Sequence, residues 1–241
     1  MKKIKTIFTV TLLIIVGLSS CDYCMFTETV YGDGNVESEI RKISGFDGIK
    51  VSSGIDVFIK QGDAENLKVE ADKNLHEVIK TEVKNNTLYI YSDENIRKAK
   101  AKNVYVLYKN LESIKISSSG DIKGVNTLET DNLDISLSSA GDLDLDVQAQ
   151  QIYISISSSG DANIRGEAEY LKASLSSAGD LDAYDLKVKK CRINVSSAGN
   201  AKIYVTKDLD ATATSAGDIY YMGDPEIKNL NSSSAGGIHK R

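Results

Sequence analysis

The residues that could do chemistry in this sequence are five aspartates at one position of a recurring phrase. Asp121, Asp142, Asp161, Asp180 and Asp218 each follow a glycine in the runs Ser-Gly-Asp or Ser-Ala-Gly-Asp. If successive copies stack at the inter-strand spacing of about 4.8 Å, two bare carboxylates so placed repel by about 0.9 kcal/mol even in a water-like dielectric. Such a column needs compensation. A hard oxygen-seeking cation such as Ca2+ would supply it, sugar hydroxyls are a second partner, and backbone N–H groups at each corner are the structural alternative. Asn200 and Gly237 interrupt the series, and the Gly-Gly-x-Gly-x-Asp nonapeptide of calcium-binding solenoids is missing, so the structural role is the favoured expectation. The same five aspartates form the candidate binding surface, with calcium as the one cofactor considered and no metal residues assigned.

Catalytic signatures are sparse, and no catalytic residue is assigned. Only two histidines, His76 and His239, are present, far apart in the chain, whereas a Ser–His pair needs a positioned base beside the nucleophile. A scattered carboxylate pair could serve a polysaccharide lyase or hydrolase, but regular repetition points to structure rather than to one unique site. Cys191 occupies a slot held by Leu or Ile in other repeats, as a small buried hydrophobe would. Its pairing with Cys24 in an oxidising compartment is an alternative. The run Arg97-Lys98-Ala99-Lys100-Ala101-Lys102 reads as a solvated or edge strand. For sugar stacking the aromatic resource is Tyr89, Tyr91, Tyr105, Tyr108, Tyr153, Tyr170, Tyr184, Tyr204, Tyr220 and Tyr221, several of which should instead cover the core.

The elements that must position these residues follow from the repeat. The phrase glycines are Gly120, Gly141, Gly160, Gly179, Gly199, Gly217 and Gly236, separated by 18 to 21 residues. Apolar residues alternate before each glycine (Ile152, Ile154, Ile156; Leu171, Ala173, Leu175) and again after it (Leu143, Leu145; Leu181, Ala183). Alternation with period two marks strands with one buried face. One such unit cannot bury its apolar side alone, but a stack of them encloses a continuous interior. The fold class is therefore an all-β solenoid with rungs of about 19 residues. At the corner a side chain would meet the next rung, and glycine is the expected carrier of the unusual dihedrals. Residues 42–110 follow the pattern less regularly, and Asp72 to Thr81 has helical spacing and reads as a short helical or irregular insertion. This stretch is the expected atypical cap at the N-terminal end of the stack.

The first twenty residues read as an export signal. Lys2, Lys3 and Lys5 precede an apolar stretch from Ile7 to Leu18, too short to span a bilayer comfortably. It closes on Leu18-Ser19-Ser20-Cys21, which resembles the lipobox of bacterial lipoproteins. That resemblance implies acylation of Cys21 after cleavage, and more than one acyl chain anchors stably. The expected organisation is a signal peptide at 1–20, an anchor and flexible linker at 21–41, divergent rungs and cap at 42–110, and regular repeats at 111–241, with 42–241 one continuous domain.

Three phrases carry a more specific resemblance: GFDGIKVSSGIDVFIKQGD (45–63), LKVEADKNLHEVIKTEVKNNTLYIYSD (67–93) and NLESIKISSSGDIKG (110–124), followed by serial SSAGD. Together they resemble the auto-transporter adhesin head GIN domain family found in Bacteroidetes lipoproteins. The resemblance covers about residues 43–240 and implies a right-handed parallel β-helix-like fold and an envelope location. It brings no established catalytic residues.

Composition sets the remaining bounds. With 29 Lys and Arg against 34 Asp and Glu, the chain carries a formal charge of −5, which argues against broad electrostatic capture of nucleic acid. The expectation is a lipid-anchored, non-enzymatic binding or adhesion module of the bacterial envelope, in the outer membrane, with a glycan or protein ligand. A self-assembling structural protein, pairing through the C-terminal rung, is the alternative, and a carbohydrate-active enzyme the second. The last repeat, Ser232 to Arg241, leaves little sequence to cover the stack, and an uncovered end invites pairing.

Overall fold

The computed structural model describes residues 28–241. The expected signal, the acylated Cys21 and Cys24 lie outside the described residues. Strands β1 (Thr29–Tyr31), β2 (Val36–Arg41), β3 (Gly48–Val51), β4 (Asp56–Gln61) and β5 (Asn66–Asp72) come first. Then follow β6 (Ile79–Lys84), β7 (Thr87–Ser92), β8 (Asn95–Arg97), β9 (Lys102–Tyr108), β10 (Ser113–Ile116) and β11 (Asp121–Gly124). The regular repeats give β12 (Leu128–Leu137), β13 (Asp142–Ile156), β14 (Asp161–Leu175), β15 (Asp180–Val195) and β16 (Asn200–Thr214), and the chain closes with β17 (Asp218–Met222), β18 (Ile227–Ser233) and β19 (Gly237–Lys240).

These strands stack as the repeat requires, in parallel and largely in register. Leu133, Ile152, Leu171, Cys191 and Leu209 pair across β12 to β16, and each is 3% exposed or less. Each rung has an upstream strand, a corner, a downstream strand and a bend; β13 to β16 each run through the bend as one strand, with register shifts between Asn163 and Gly166 of β14, and between Ala183 and Lys187 and between Val188 and Lys190 of β15. The upstream face therefore continues from β18 through β16, β15, β14, β13, β12, β10, β3 and β7 to β6. The downstream face runs from β19 through β17, the downstream halves of β16, β15, β14 and β13, and β11 to β4, β9, β5 and β2. One apolar interior fills the space between them.

The corner differs from the expectation in one respect. Its glycines do not carry the left-handed dihedrals; Ser139, Ser158, Ser177 and Ser197 do, with φ of +63° to +65°. Glycine is required next to them by space. A Cβ on Gly141 would stand 2.5 Å from Ile116 Cγ2, and one on Gly179 would stand 2.5 Å from Ile156 Cγ2, both on earlier rungs. The corner backbone is tied rung to rung, as in Ser157 N–H donating to Leu137 O at 3.0 Å and Ser176 N–H to Ile156 O at 3.0 Å.

Two further expectations are corrected at the N-terminal end. Residues 29–41, expected within a flexible linker, form β1 and β2, which pair with β8 and β5. Glu37, Glu39 and Arg41 of β2 pair with the inward Ala71, Val69 and Leu67 of β5, so a strand with polar residues on its inner side closes the stack, as a terminal cap should. Arg41 fastens it, donating to Ile79 O at 2.6 Å and His76 O at 2.7 Å while pairing with Glu39 at 2.9 Å. The helical spacing of Asp72 to Thr81 yields only a 3-10 turn at Lys73–Leu75 before β6 begins. Apolar alternation and antiparallel pairing with β7 override it.

At the other end the inward slots of the last rung turn polar. Lys228 and Ser232 pair with Leu209 and Ala213, and only Leu230 continues the apolar series on that face. Lys228 and Lys240 meet at Asp224, at 3.5 and 3.0 Å.

Candidate functional site

The downstream face assembles the aspartates that the sequence singles out. Asp121, Asp142, Asp161 and Asp180 pair in direct register, and Asn200 separates Asp180 from Asp218. Asp56 of β4 extends the row, pairing with Asp121. Its corner, Val51-Ser52-Ser53-Gly54-Ile55-Asp56, is an earlier relative of the phrase with the same length as Ile116 to Asp121, but Ile55 stands in the place of Gly120 and Gly54, with φ of +64°, in the place of Ser119.

The corner N–H groups are spent on the backbone ladder. Asp142 N–H donates to Gly120 O at 3.3 Å, Asp161 N–H to Gly141 O at 3.2 Å and Asp180 N–H to Gly160 O at 3.0 Å. Asp180 gains a partner from the next rung, its Oδ1 accepting from Asn200 N at 3.1 Å and Nδ2 at 2.9 Å. Burial, and then the charges of Asp142 and Asp180, push the Asp161 carboxyl above its ordinary value. Burial and Asp142 do the same to Asp121, against a backbone hydrogen bond from Asp142. Because these folded-state values are raised, the unfavourable repulsion is present above them and disappears as the pH falls and the row takes up protons.

A second outward row lies two residues further along each strand. It runs Tyr105, Phe58, Lys123, Asp144, Asn163, Asp182, Lys202, Tyr220 and His239 in register. Lys202 pairs with Asp182 at 2.8 Å, and Arg165 spans Asp144 at 2.7 Å and Asp146 at 3.3 Å. Between the two rows is a shallow groove of about 500 Å3. Aromatic groups bracket it. At one end Phe58 and Tyr105 stack with centroids 5.1 Å apart and Lys68 Nζ 4.0 Å over the tyrosine; at the other, Tyr220 stacks on His239 at 5.1 Å, with Arg241 4.8 Å from the tyrosine ring. Carboxylates and amides that accept and donate to hydroxyls, flanked by aromatic faces, suit a polyhydroxylated ligand.

Other candidates are dispersed. His76 contacts Glu39 at 3.1 Å in the N-terminal cap, while His239 lies in the last rung beside Asp218 at 3.7 Å, so the two histidines stand at opposite ends of the stack. Cys191 is buried in the inward column and desolvation pushes its thiol well up. Tyr108 and Tyr221 are core residues, 1% and 6% exposed. The basic run is split: Arg97 ends β8, Lys102 opens β9, and the residues between them wrap around Asp72. Among the described residues no group of three or more His, Cys, Asp or Glu is arranged to hold a metal ion. None of the described helical turns is long and apolar enough to cross a membrane.

Parallel rungs of about 19 residues with small-residue corners define the chain as a β-solenoid. It belongs to the family described as putative auto-transporter adhesin, head GIN domain, which matches residues 45–225. Among solved structures it is similar to a putative adhesin from Bacteroides fragilis, with 24% identity, a TM-score of 0.82, and coverage of 88% of this chain and 100% of that one. It is also similar to a putative adhesin from Parabacteroides merdae (22%, TM-score 0.71, 89% and 99% covered). A third is a putative lipid binding protein from Parabacteroides distasonis (25%, TM-score 0.75, 89% and 100% covered). No curated protein matches.

Proposed function

We propose that this protein is a non-enzymatic recognition module of the bacterial envelope, held to the outer membrane through lipid on Cys21, whose walls bind a glycan. The observation that carries this reading is the pair of outward rows on the downstream face, which repeat hydrogen-bonding groups once per rung between aromatic ends. A polymer with a short repeat meets the same chemistry several times on such a wall. The family's adhesin description and the adhesins among the similar structures support a binding role. The lipid binding description of the third structure belongs to that protein; here lipid is invoked only as the anchor.

An array of glycans and envelope polymers probed with the purified protein, with and without calcium, tests the binding half; reproducible binding to one polysaccharide class is the expected result. Dependence of that binding on calcium would add the cation to the site. Binding to nothing would turn the reading towards self-assembly, which the exposed β18, with Ile227 64% and Leu230 40% exposed, favours. The anchor is tested separately. Cys21→Ser should move the protein from the membrane pellet to the soluble fraction, and unchanged pelleting would remove the lipid from the account.

A further inference from the structure

A second concavity lies away from the aspartate wall. It is a trough of about 680 Å3 along the bends of successive rungs, which the repeat builds from a three-residue pattern. Thr130, Ala149, Ala168 and Val188 stack in register as its floor, and the last three are at most 8% exposed. On either side of each floor residue stands an exposed polar one. Gln148 and Gln150 flank Ala149, Glu167 and Glu169 flank Ala168, and Lys187 and Lys189 flank Val188. Glu129 and Asp131 do the same around Thr130. The trough thus has two polar rims and a floor of backbone whose side chains turn inward, repeated in four rungs. Three spacings of about 4.8 Å separate the first from the fourth, so the lined length is about 14 Å.

We infer that this trough is a subsite for one linear, uncharged polysaccharide strand lying along the stacking axis. This rests on the reading of the protein as a glycan-binding module and assigns that binding to the bends. A pyranose linked through opposite sides of its ring advances along its chain by about one rung spacing, so each sugar of an extended strand lies against one pair of rim residues. The rims match what hydroxyls need: carboxylates accept, ammonium groups donate, and the amides of Gln148 and Gln150 do both. Five carboxylates (Glu112, Glu129, Asp131, Glu167 and Glu169) against two ammoniums (Lys187 and Lys189) leave the trough net negative even with Lys189 paired to Glu169 at 2.5 Å, which disfavours an acidic strand. This floor lets the strand sink between the rims.

The test is calorimetric titration of the purified protein with linear gluco-, manno-, xylo- and N-acetylglucosamine oligosaccharides of two to eight units. For one series, affinity should rise with length and level off at about four units, the number of rungs lined. Gln148→Ala with Gln150→Ala, both exposed, should weaken it about tenfold or more, while Lys172→Ala, exposed on the upstream face outside both grooves, leaves it unchanged. The melting temperature of each variant separates lost binding from lost folding. An oligosaccharide that binds equally well after the rim substitutions, or that loses affinity only with Asp161→Asn on the aspartate wall, overturns the trough and keeps the glycan reading. No binding by any series overturns both, and tighter binding of an extended peptide than of any oligosaccharide assigns the trough to another ligand class.

Discussion

Replacing Asp72 by alanine should cost the protein about 3–5 kcal/mol, the largest loss expected from any single polar substitution in the chain. Asp72 ends β5, is fully buried, and accepts backbone N–H groups from Gly34 at 2.9 Å, Ala101 at 3.0 Å and Lys100 at 3.1 Å. These donors belong to the turn between β1 and β2 and to the loop before β9, where Ala99 alone packs against the core. Without the carboxylate these part-buried N–H groups lose their partner, at up to about 1–3 kcal/mol each where water does not replace it. Gly32 packs so close that a Cβ there would collide with the Asp72 carboxylate. The expected result is a lowered urea midpoint, with hydrogen exchange accelerated first around residues 32–35 and 98–101.

The same site sets a pH dependence. Burial alone would raise the Asp72 pKa, but the backbone donors outweigh it and hold the group below its ordinary value. Its stabilisation is therefore complete above the unfolded carboxylate range, near pH 4, and is lost as the pH falls through the lower folded value. Asp72→Asn should remove this acid-dependent part while keeping the side-chain volume. Wild-type and Asp72→Asn proteins with parallel stability profiles from pH 5 to pH 2 would show that the carboxylate does not hold these segments.

The second large effect separates the two small residues of the corner. Gly141→Ala and Gly179→Ala should each cost about 1–3 kcal/mol, because the new methyl group overpacks against an isoleucine fixed in the preceding core. Ser139→Gly and Ser177→Gly should be close to neutral. Relief of a left-handed residue is offset by the greater entropy of glycine in the unfolded chain. If the serine variants proved the more damaging pair, crowding would not be the reason for the glycines.

These corners mark how far the sequence could be read. Spacing of the Gly-Asp phrases fixes the rung length, and alternation of residues such as Ile152, Ile154 and Ile156 assigns the inward columns, because period-two burial has no other outlet. Which corner residue takes the positive φ is not legible, since serine and glycine are both small and the collision that excludes a Cβ comes from another rung. Residues 36–41 read as polar linker for a related reason. A terminal strand with one face towards solvent lacks the alternation that marks an internal one, and only pairing with β5 reveals it. The aspartate row was legible because it is conspicuous. The trough was not, although its signal is present: a small residue between two like polar ones recurs at positions 149, 168 and 188. Its meaning depends on the bend, which places both flanking side chains outward.

The measurement that bears most directly on the proposed function is the polysaccharide and envelope-polymer array, read with wild-type protein, the Gln148→Ala/Gln150→Ala variant and Asp161→Asn side by side. The account expects one polysaccharide class to bind wild-type protein reproducibly and to be weakened by substitution on a polar wall. If no polymer bound a folded, monodisperse wild-type protein, or if the same polymers bound every variant alike, the walls of this solenoid would not be a glycan-recognition surface.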